Sequence, residues 1–172
     1  MRRSRRIDQA REVLPWVTAW ARLIVDDATA EDVATRAVVR VASGRRSLTP
    51  ATLRIRARDE AARLLARDHA ADSHDPEPTP AQAPDPPEID RRTPAEKLAD
   101  GLIALRPIER LAAVRYFLDG ETVESVAALL ELDRAAAVTI LEGATRHLAA
   151  QVGEYDLPDF SAAVTHVEVV SR

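Results

Sequence analysis

The sequence predicts an all-α protein made of two small helical modules joined by a proline-rich acidic linker. Apolar residues recur at helical spacing, capping residues stand where the periodic segments begin, and one proline-rich segment divides the chain. Apolar residues make up 46% of the 172 residues and aromatic residues only 3%. Alanine, leucine, arginine and glutamate are abundant, and these residues cost little in a helix. The chain has no cysteine, which excludes disulfides and thiolate metal sites.

The division falls in residues 71–92, which contain six prolines and six acidic residues but almost no large apolar side chains. A segment of this composition cannot bury enough apolar surface to offset its ordering entropy, so we predict an extended linker. It separates a first module at 8–70 from a second module at 93–152, which is followed by a C-terminal tail at 153–172. The apolar residues of the tail are compatible with a strand, a partner-binding edge or packing on the second module.

The first module is predicted to contain three helices. A capping box, in which Asp32 follows Thr29 by three residues, predicts the start of the second helix, and Gly44 predicts its end. Thr49 followed by Pro50 predicts the start of the third helix. Apolar residues at helical spacing define the inward faces of the first and third helices: Val13, Trp16, Val17, Trp20, Leu23 and Ile24 in the first, and Leu53, Ala57, Ala61 and Leu64 in the third.

The second module is predicted to contain four helices. Thr93 and Glu96 form a capping box at the first, and Pro107 opens the second. Thr122 caps a short helix, and Asp133 caps a long helix after a three-residue turn. A short helix, a tight turn and a long helix outline a helix-turn-helix. The residues predicted to face inward are Leu98, Leu102, Leu105, Leu111, Val114, Phe117, Val126, Ala127, Leu130, Ala137, Leu141, Ala144, Leu148 and Val152.

Charge is distributed unevenly between the modules. Residues 1–70 hold 15 arginines and 9 acidic residues, whereas residues 96–172 hold 7 basic and 13 acidic residues. A basic first module suits a polyanionic partner. The four histidines lack metal-ligand spacing, and we find neither a glycine-rich phosphate loop nor a catalytic carboxylate pair, so we expect no enzyme, metal or cofactor. Because no signal peptide or long apolar run is evident, the expected location is cytoplasmic, without membrane insertion.

Four stretches resemble motifs of extracytoplasmic-function (ECF) sigma factors, the promoter-reading subunits of bacterial RNA polymerase. Residues 105–110 resemble the Leu-Pro-x-x-x-Arg opening of the C-terminal domain of that family, and residues 119–130 resemble the Gly-x-x-x-x-Glu-Ile-Ala-x-x-Leu stretch of its helix-turn-helix. Residues 30–33, Ala-Glu-Asp-Val, resemble the Ala-Glu-Asp-Leu motif of the polymerase-binding helix. Residues 53–67 are similar to the helix that melts and reads the downstream promoter element. The four stretches cover both modules in the order of the family.

The resemblance implies that the first module docks on core RNA polymerase and captures melted promoter DNA. The residues that it implies for polymerase binding lie on the second helix: Glu31, Asp32, Thr35, Val38 and Val39. The residues that it implies for DNA binding lie on the third helix and suit phosphates or, for the carboxylate, a base amino group: Arg54, Arg56, Arg58, Asp59 and Arg63. Thr35 and Val38 replace the glutamine and aromatic usual in the family, and Thr52 stands where a large aromatic is usual.

The resemblance also implies that the long last helix enters the major groove of upstream promoter DNA. On its groove-facing side, the residues implied for DNA binding are Arg134, Val138, Thr139 and Arg146. Glu142 and Thr145 are predicted on the same side, where the carboxylate of Glu142 repels a duplex. Glu131 replaces the usual glycine of the turn, at a place where a left-handed backbone is expected.

Three functions follow as alternatives. The first is an alternative sigma factor that binds core RNA polymerase, directs promoter-specific transcription initiation and is held by an anti-sigma factor. The second is a sigma-like adaptor or decoy that binds a protein partner, such as an anti-sigma factor, without reading promoters. The acidic second module favours this alternative. The third, a stand-alone helix-turn-helix repressor, leaves the first module and the linker unexplained and needs a dimer seam that we do not find in the sequence.

Overall fold

A computed structural model describes residues 2–44, 48–71 and 92–152 of the chain. Over these residues the protein is all-helical, which confirms the all-α part of the predicted fold class. The helices are α1 (Arg2–Ala21), α2 (Asp27–Ala42), α3 (Pro50–Ala71), α4 (Pro94–Ala104), α5 (Pro107–Ala113), α6 (Val123–Leu130) and α7 (Arg134–Val152), with a π-helical turn at Val114–Leu118. The predicted tail at 153–172, and all but the ends of the predicted linker at 71–92, lie outside the described residues.

Helices α1, α2 and α3 pack on one another as a three-helix bundle, called here the N-terminal bundle. The predicted cap of its second helix is wrong by three residues, because the N-cap is Asp26 and not Thr29. The Asp26 carboxylate accepts hydrogen bonds of 3.0 Å from the backbone N–H groups of both Ala28 and Thr29. Thr29 lies in the first turn, where its hydroxyl donates to the same carboxylate at 2.8 Å. Asp26 therefore satisfies two of the free N–H groups at this helix start.

The start of α3 is as predicted, since Thr49 Oγ1 accepts a hydrogen bond from the Thr52 backbone N–H at 3.2 Å. The predicted inward face of α3 is fully buried, but that of α1 is only partly so. Trp16 is 37% exposed and Leu23 is 40% exposed, against the prediction. Trp16 lies at the edge of the α1 face that α2 and α3 cover, so the buried part of this helix is narrower than its apolar pattern, and Leu23 lies in the turn after α1. The residues of the two predicted faces that are buried are Val13, Val17 and Trp20 in α1, Ile24 in the turn that follows it, and Leu53, Ala57, Ala61 and Leu64 in α3.

Helices α4 to α7, called here the C-terminal group, begin at the predicted caps. Thr93 and Glu96 form a reciprocal capping box, and α5 begins at Pro107. The Thr122 hydroxyl accepts from the Ser125 backbone N–H at 3.2 Å. Asp133 Oδ1 accepts from the backbone N–H of Ala136 at 2.7 Å. These local hydrogen bonds need no tertiary context, which is why the sequence motifs predict them correctly.

A π-helical turn follows α5 and changes which side chains face the core. The Asp119 backbone N–H donates to the Val114 carbonyl, five residues back, at 3.1 Å. The wider turn rotates the residues that follow it relative to an α-helix. Phe117 is therefore 42% exposed, against the prediction that it faces inward, and Arg115 is buried in its place. Leu98 in α4 is exposed by a similar fraction and also contradicts its predicted inward position.

The two groups of helices pack against each other through α3, which contacts α5 and α6. Buried residues from both groups form one continuous apolar cluster. Arg110 adds a polar link, because its guanidinium donates hydrogen bonds to the Ile24 carbonyl at 3.0 Å and the Leu105 carbonyl at 2.9 Å. The arginine of the Leu-Pro-x-x-x-Arg-like stretch thus joins the end of α4 to the α1–α2 connection. A smaller apolar cluster holds α4, α5 and α7 together: Leu105, Ala113, Ala144 and Leu148.

Candidate functional site

The helix-turn-helix is formed by α6 and α7. Glu131, the first of the three residues between them, has φ 56° and ψ 36°, a left-handed conformation. The turn is held by a hydrogen bond of 3.0 Å from the Leu132 backbone N–H to the Ala127 carbonyl. This geometry satisfies the last carbonyls of α6 in the way that a C-terminal glycine usually does. The expected left-handed backbone is therefore present at Glu131, a residue type that adopts it at some cost.

The outer face of α7 carries the residues predicted to enter a DNA groove. Thr139 and Arg146 are exposed. Val138 is half-buried and packs against the core cluster. The predicted position of Thr145 on this face is wrong, because its side chain is buried and its hydroxyl donates to the Leu141 carbonyl at 2.6 Å. The face that remains for a partner is small, and the exposed Glu142 gives it an acidic centre.

Arg134, at the start of α7, already has an acidic partner. Its Nε donates a hydrogen bond of 3.0 Å to Glu124 on α6. Two hydrogen bonds lower the pKa of Glu124. The larger effect comes from its own backbone N–H, and the smaller one comes from Arg134. Arg134 must exchange this carboxylate for phosphate or base if it contacts DNA. Arg146 has no ion pair among the described residues.

The predicted DNA-binding arginines of α3 differ in their surroundings. Arg56 is exposed. Arg63 pairs with Glu60 at 3.1 Å and stays more than half exposed. The Arg54 guanidinium lies 5.3 Å from the ring centroid of Trp16, a cation–π contact. The exposed Trp16 is thus a surface partner of Arg54 and not the core residue that its spacing predicts.

Arg58 and Asp59 are held by the C-terminal group. Arg58 Nη1 donates to Asp119 at 2.8 Å, and Arg115 donates to Asp59 at 3.1 Å. Arg115 also donates to Asp119 at 2.8 Å and to Glu121 at 2.9 Å. These five residues are called the interface ion-pair cluster. The side chains of Arg115 and Asp119 are 8% and 6% exposed, so the centre of the cluster is buried where the two groups of helices meet, whereas Asp59 and Glu121 at its edge stay partly exposed.

Burial and the neighbouring charges act in opposite directions on Asp119. Burial raises the pKa of Asp119 above the usual aspartate value, and the charges of Arg58 and Arg115 oppose that shift without cancelling it. Asp119 therefore carries a desolvation cost that its ion pairs offset only in part. The sequence analysis missed Arg115 and Asp119 as functional candidates. The one available signal was a charged residue, Arg115, inside the apolar run from Leu111 to Leu118.

The residues predicted to bind polymerase lie on α2 with different exposures. Glu31, Asp32 and Thr35 are exposed, and Val39 is 57% exposed. Val38 is 2% exposed and packs in the core, so it supports this face from inside and presents no surface to a partner. The acidic residues are paired with arginines of the same bundle: Glu31 with Arg22 at 3.3 Å and Asp32 with Arg36 at 3.0 Å.

Two other kinds of site are absent from the described part of the chain. No group of three or more histidine, aspartate or glutamate side chains is placed there to hold a metal ion. None of the helices in residues 2–44, 48–71 and 92–152 has the length and apolar character needed to cross a membrane.

No family model, curated protein or solved structure matches this chain. Its function is therefore inferred from its own helices and side chains.

Proposed function

We propose that the protein is an alternative sigma factor of the ECF type, which binds core RNA polymerase and directs promoter-specific transcription initiation. The observation that carries the proposal is the helix-turn-helix of α6 and α7, which follows a basic three-helix bundle in the same chain. Thr122, Glu131 and Asp133 set the two helix starts and the turn of a DNA-reading motif. A stand-alone repressor does not account for the N-terminal bundle.

In this function, α7 reads upstream promoter DNA. Arg146 and Thr139 are the exposed side chains of its outer face that can donate to phosphate or to base edges. Arg134 joins them when it leaves Glu124, and Val138 offers a methyl-sized apolar contact. The acidic Glu142 limits affinity at the centre of this face. We therefore expect base recognition at few positions, with a large share of the specificity arising from polymerase and the melted strand.

The N-terminal bundle contributes the polymerase and single-strand contacts. The exposed residues of α2, with Val39 at their centre, form the proposed polymerase-binding face. Arg54, Arg56 and Arg63 of α3 supply positive charge for the melted strand. Trp16, beside Arg54, adds an exposed aromatic ring to this surface, where Thr52 supplies none.

A second candidate, a sigma-like adaptor that binds a protein such as an anti-sigma factor, is favoured by the pairing of the basic residues. Arg134 is neutralised by Glu124, and Arg58 by Asp119. Fewer arginines are then available for DNA than the sequence suggests. The apolar and acidic residues of α7 suit a protein surface better than a duplex.

The test is run-off transcription with bacterial core RNA polymerase over a promoter library, with pull-down of the core enzyme in parallel. Core binding and initiation from defined start sites are expected. The Arg134→Ala/Arg146→Ala variant should lose promoter affinity by about tenfold or more, since good base contacts contribute roughly 1–3 kcal/mol each. Arg11→Ala, at an exposed arginine of α1, is the matched control and should initiate normally. Core binding without initiation from any promoter would exclude the proposal.

Salt dependence separates the two candidates. Promoter binding by a sigma factor should weaken steeply with salt, because each phosphate contact releases counterions. An adaptor that does not read promoters should add no promoter binding to core polymerase at any salt concentration. The measurement is fluorescence anisotropy of labelled promoter DNA with the reconstituted holoenzyme at increasing salt.

A further inference from the structure

The interface ion-pair cluster joins α3 to the C-terminal group through reciprocal charges. Arg58 and Asp59 are neighbours on α3, and each is paired with an opposite charge from the π-helical turn or its end, Arg115 or Asp119. The partners are 61 and 56 residues apart in sequence. Glu121 adds a third carboxylate to Arg115 at 2.9 Å. The contact therefore involves two of the five residues of α3 that the resemblance assigns to DNA, Arg58 and Asp59.

We propose that the C-terminal group is an autoinhibitory cover on α3, held by the interface ion-pair cluster, and that its release uncovers Arg58 and Asp59. The identification of promoter DNA as the ligand of the uncovered residues rests on the proposed function. The covering of these residues by the C-terminal group does not. A phosphate offers Arg58 the same charge and acceptor geometry as the Asp119 carboxylate. Binding of the DNA strand thus replaces an internal ion pair by an external one.

The cluster suits a reversible contact better than a permanent one. The desolvation cost of a buried ion pair cancels much of the attraction between its two charges. Removal of one partner is strongly destabilising, because the other charge is left buried and unpaired. The raised pKa of Asp119 agrees with a desolvation cost at this position. The two groups also share one continuous apolar cluster, which favours the closed arrangement without fixing its orientation. The paired charges of the interface ion-pair cluster add that directional specificity.

The test measures the distance between the two groups of helices in the full chain. The protein has no cysteine, so the Ala19→Cys and Ala150→Cys substitutions, at exposed positions of α1 and α7, place spin labels only there. Double electron–electron resonance should give one short distance in the parent chain. Arg58→Met, which keeps the Arg115–Asp119 pair inside the C-terminal group, should lower the closed-to-open ratio by about tenfold or more. Arg58→Met/Asp59→Asn should lower it further.

The matched control is Arg92→Gln/Asp100→Asn. This pair has the same 2.8 Å separation as Arg58–Asp119, but both side chains are about half exposed. Exposed pairs contribute little, so the distance should stay short. The proposal would be overturned if both α3 variants kept the short distance while circular dichroism showed that their helices were intact. It would also be overturned if the control opened as much as the α3 variants.

A second measurement distinguishes this proposal from the proposed function. Asp119→Asn keeps Arg58 and Asp59 but removes the carboxylate that Arg58 binds. It should bind a fluorescein-labelled single-stranded DNA oligonucleotide several-fold more tightly than the parent chain. If the α3 variants open but Asp119→Asn does not bind DNA more tightly, the C-terminal group covers α3 but promoter DNA is not the ligand of the uncovered residues.

Discussion

Arg115 donates a hydrogen bond of 3.1 Å to Asp59, a residue 56 positions earlier in the chain. The bond joins the π-helical turn after α5 to the middle of α3. The same guanidinium also donates to Asp119 and Glu121, so one buried arginine binds three carboxylates. This arrangement links the two halves of the fold and pairs Asp59 with an arginine of the C-terminal group.

Replacement of Arg115 by methionine should destabilise the protein strongly. The Arg115 side chain is 8% exposed, and its loss leaves three carboxylates with Arg58 alone. Removal of one partner of a buried ion pair costs about 3–5 kcal/mol. Chemical denaturation followed by circular dichroism measures the change in the free energy of unfolding. Asp100→Asn, at an exposed ion pair, is the control and should cost about 0–1 kcal/mol. Equal decreases in the free energy of unfolding for the two variants would mean that the interface ion-pair cluster stabilises the fold no more than an exposed ion pair does.

Glu131→Gly should stabilise the protein by about 0.5–1 kcal/mol, because glycine adopts the left-handed conformation of this turn without steric cost. The φ angle of Glu131 is 56°. Glu131→Val should be destabilising, since a β-branched residue fits this region poorly. Thermal unfolding of the two variants and the parent chain gives the order. A glycine variant less stable than the parent would show that the Glu131 side chain makes a contact of its own.

Two glycines inside helices should respond differently to alanine. A Cβ at Gly143 meets no atom within 4 Å, so Gly143→Ala should stabilise α7 by about 0.5–1 kcal/mol. A Cβ at Gly101 lies 3.1 Å from Leu148 and 3.2 Å from Gln151, where α4 packs on α7. Gly101→Ala should therefore be less stable than Gly143→Ala, since the gain in helix propensity is offset by crowding. Denaturant midpoints of the two variants provide the comparison.

The cap of α2 should make part of the stability depend on pH. Hydrogen bonds from Thr29, first through its backbone and then through its side chain, lower the pKa of Asp26. A lowered carboxyl pKa contributes stability above the pKa of the unfolded chain, about 3.9, and this contribution is lost as the pH falls through the folded pKa. The free energy of unfolding of the parent chain should therefore decrease, relative to that of Asp26→Asn, as the pH falls below about 4. A constant difference in the free energy of unfolding across this pH range would contradict the lowered pKa of Asp26.

Local signals in the sequence predict most helix boundaries correctly. Thr49, Thr93, Thr122 and Asp133 cap the helices that their motifs predict, because a cap depends on residues within one turn. The α2 cap was assigned to Thr29 because a capping-box pattern begins there, whereas the carboxylate of Asp26 reaches the first N–H groups. The candidate recognition face was predicted less well, since Thr145 lies on the border between the buried and exposed sides of α7.

The sequence by itself determined the all-α class, the caps of α3, α4, α6 and α7, the inward face of α3 and the left-handed turn at Glu131, since each depends on periodicity or on contacts within a few residues. Only the tertiary structure decided that Arg58 and Asp59 are covered, that Arg115 is buried and that Trp16 lies at the surface beside Arg54. The physical reason is that each of these outcomes depends on residues distant in sequence. A π-helical turn also shifted the positions that face the core, and no periodic pattern of apolar residues reports such a shift in advance.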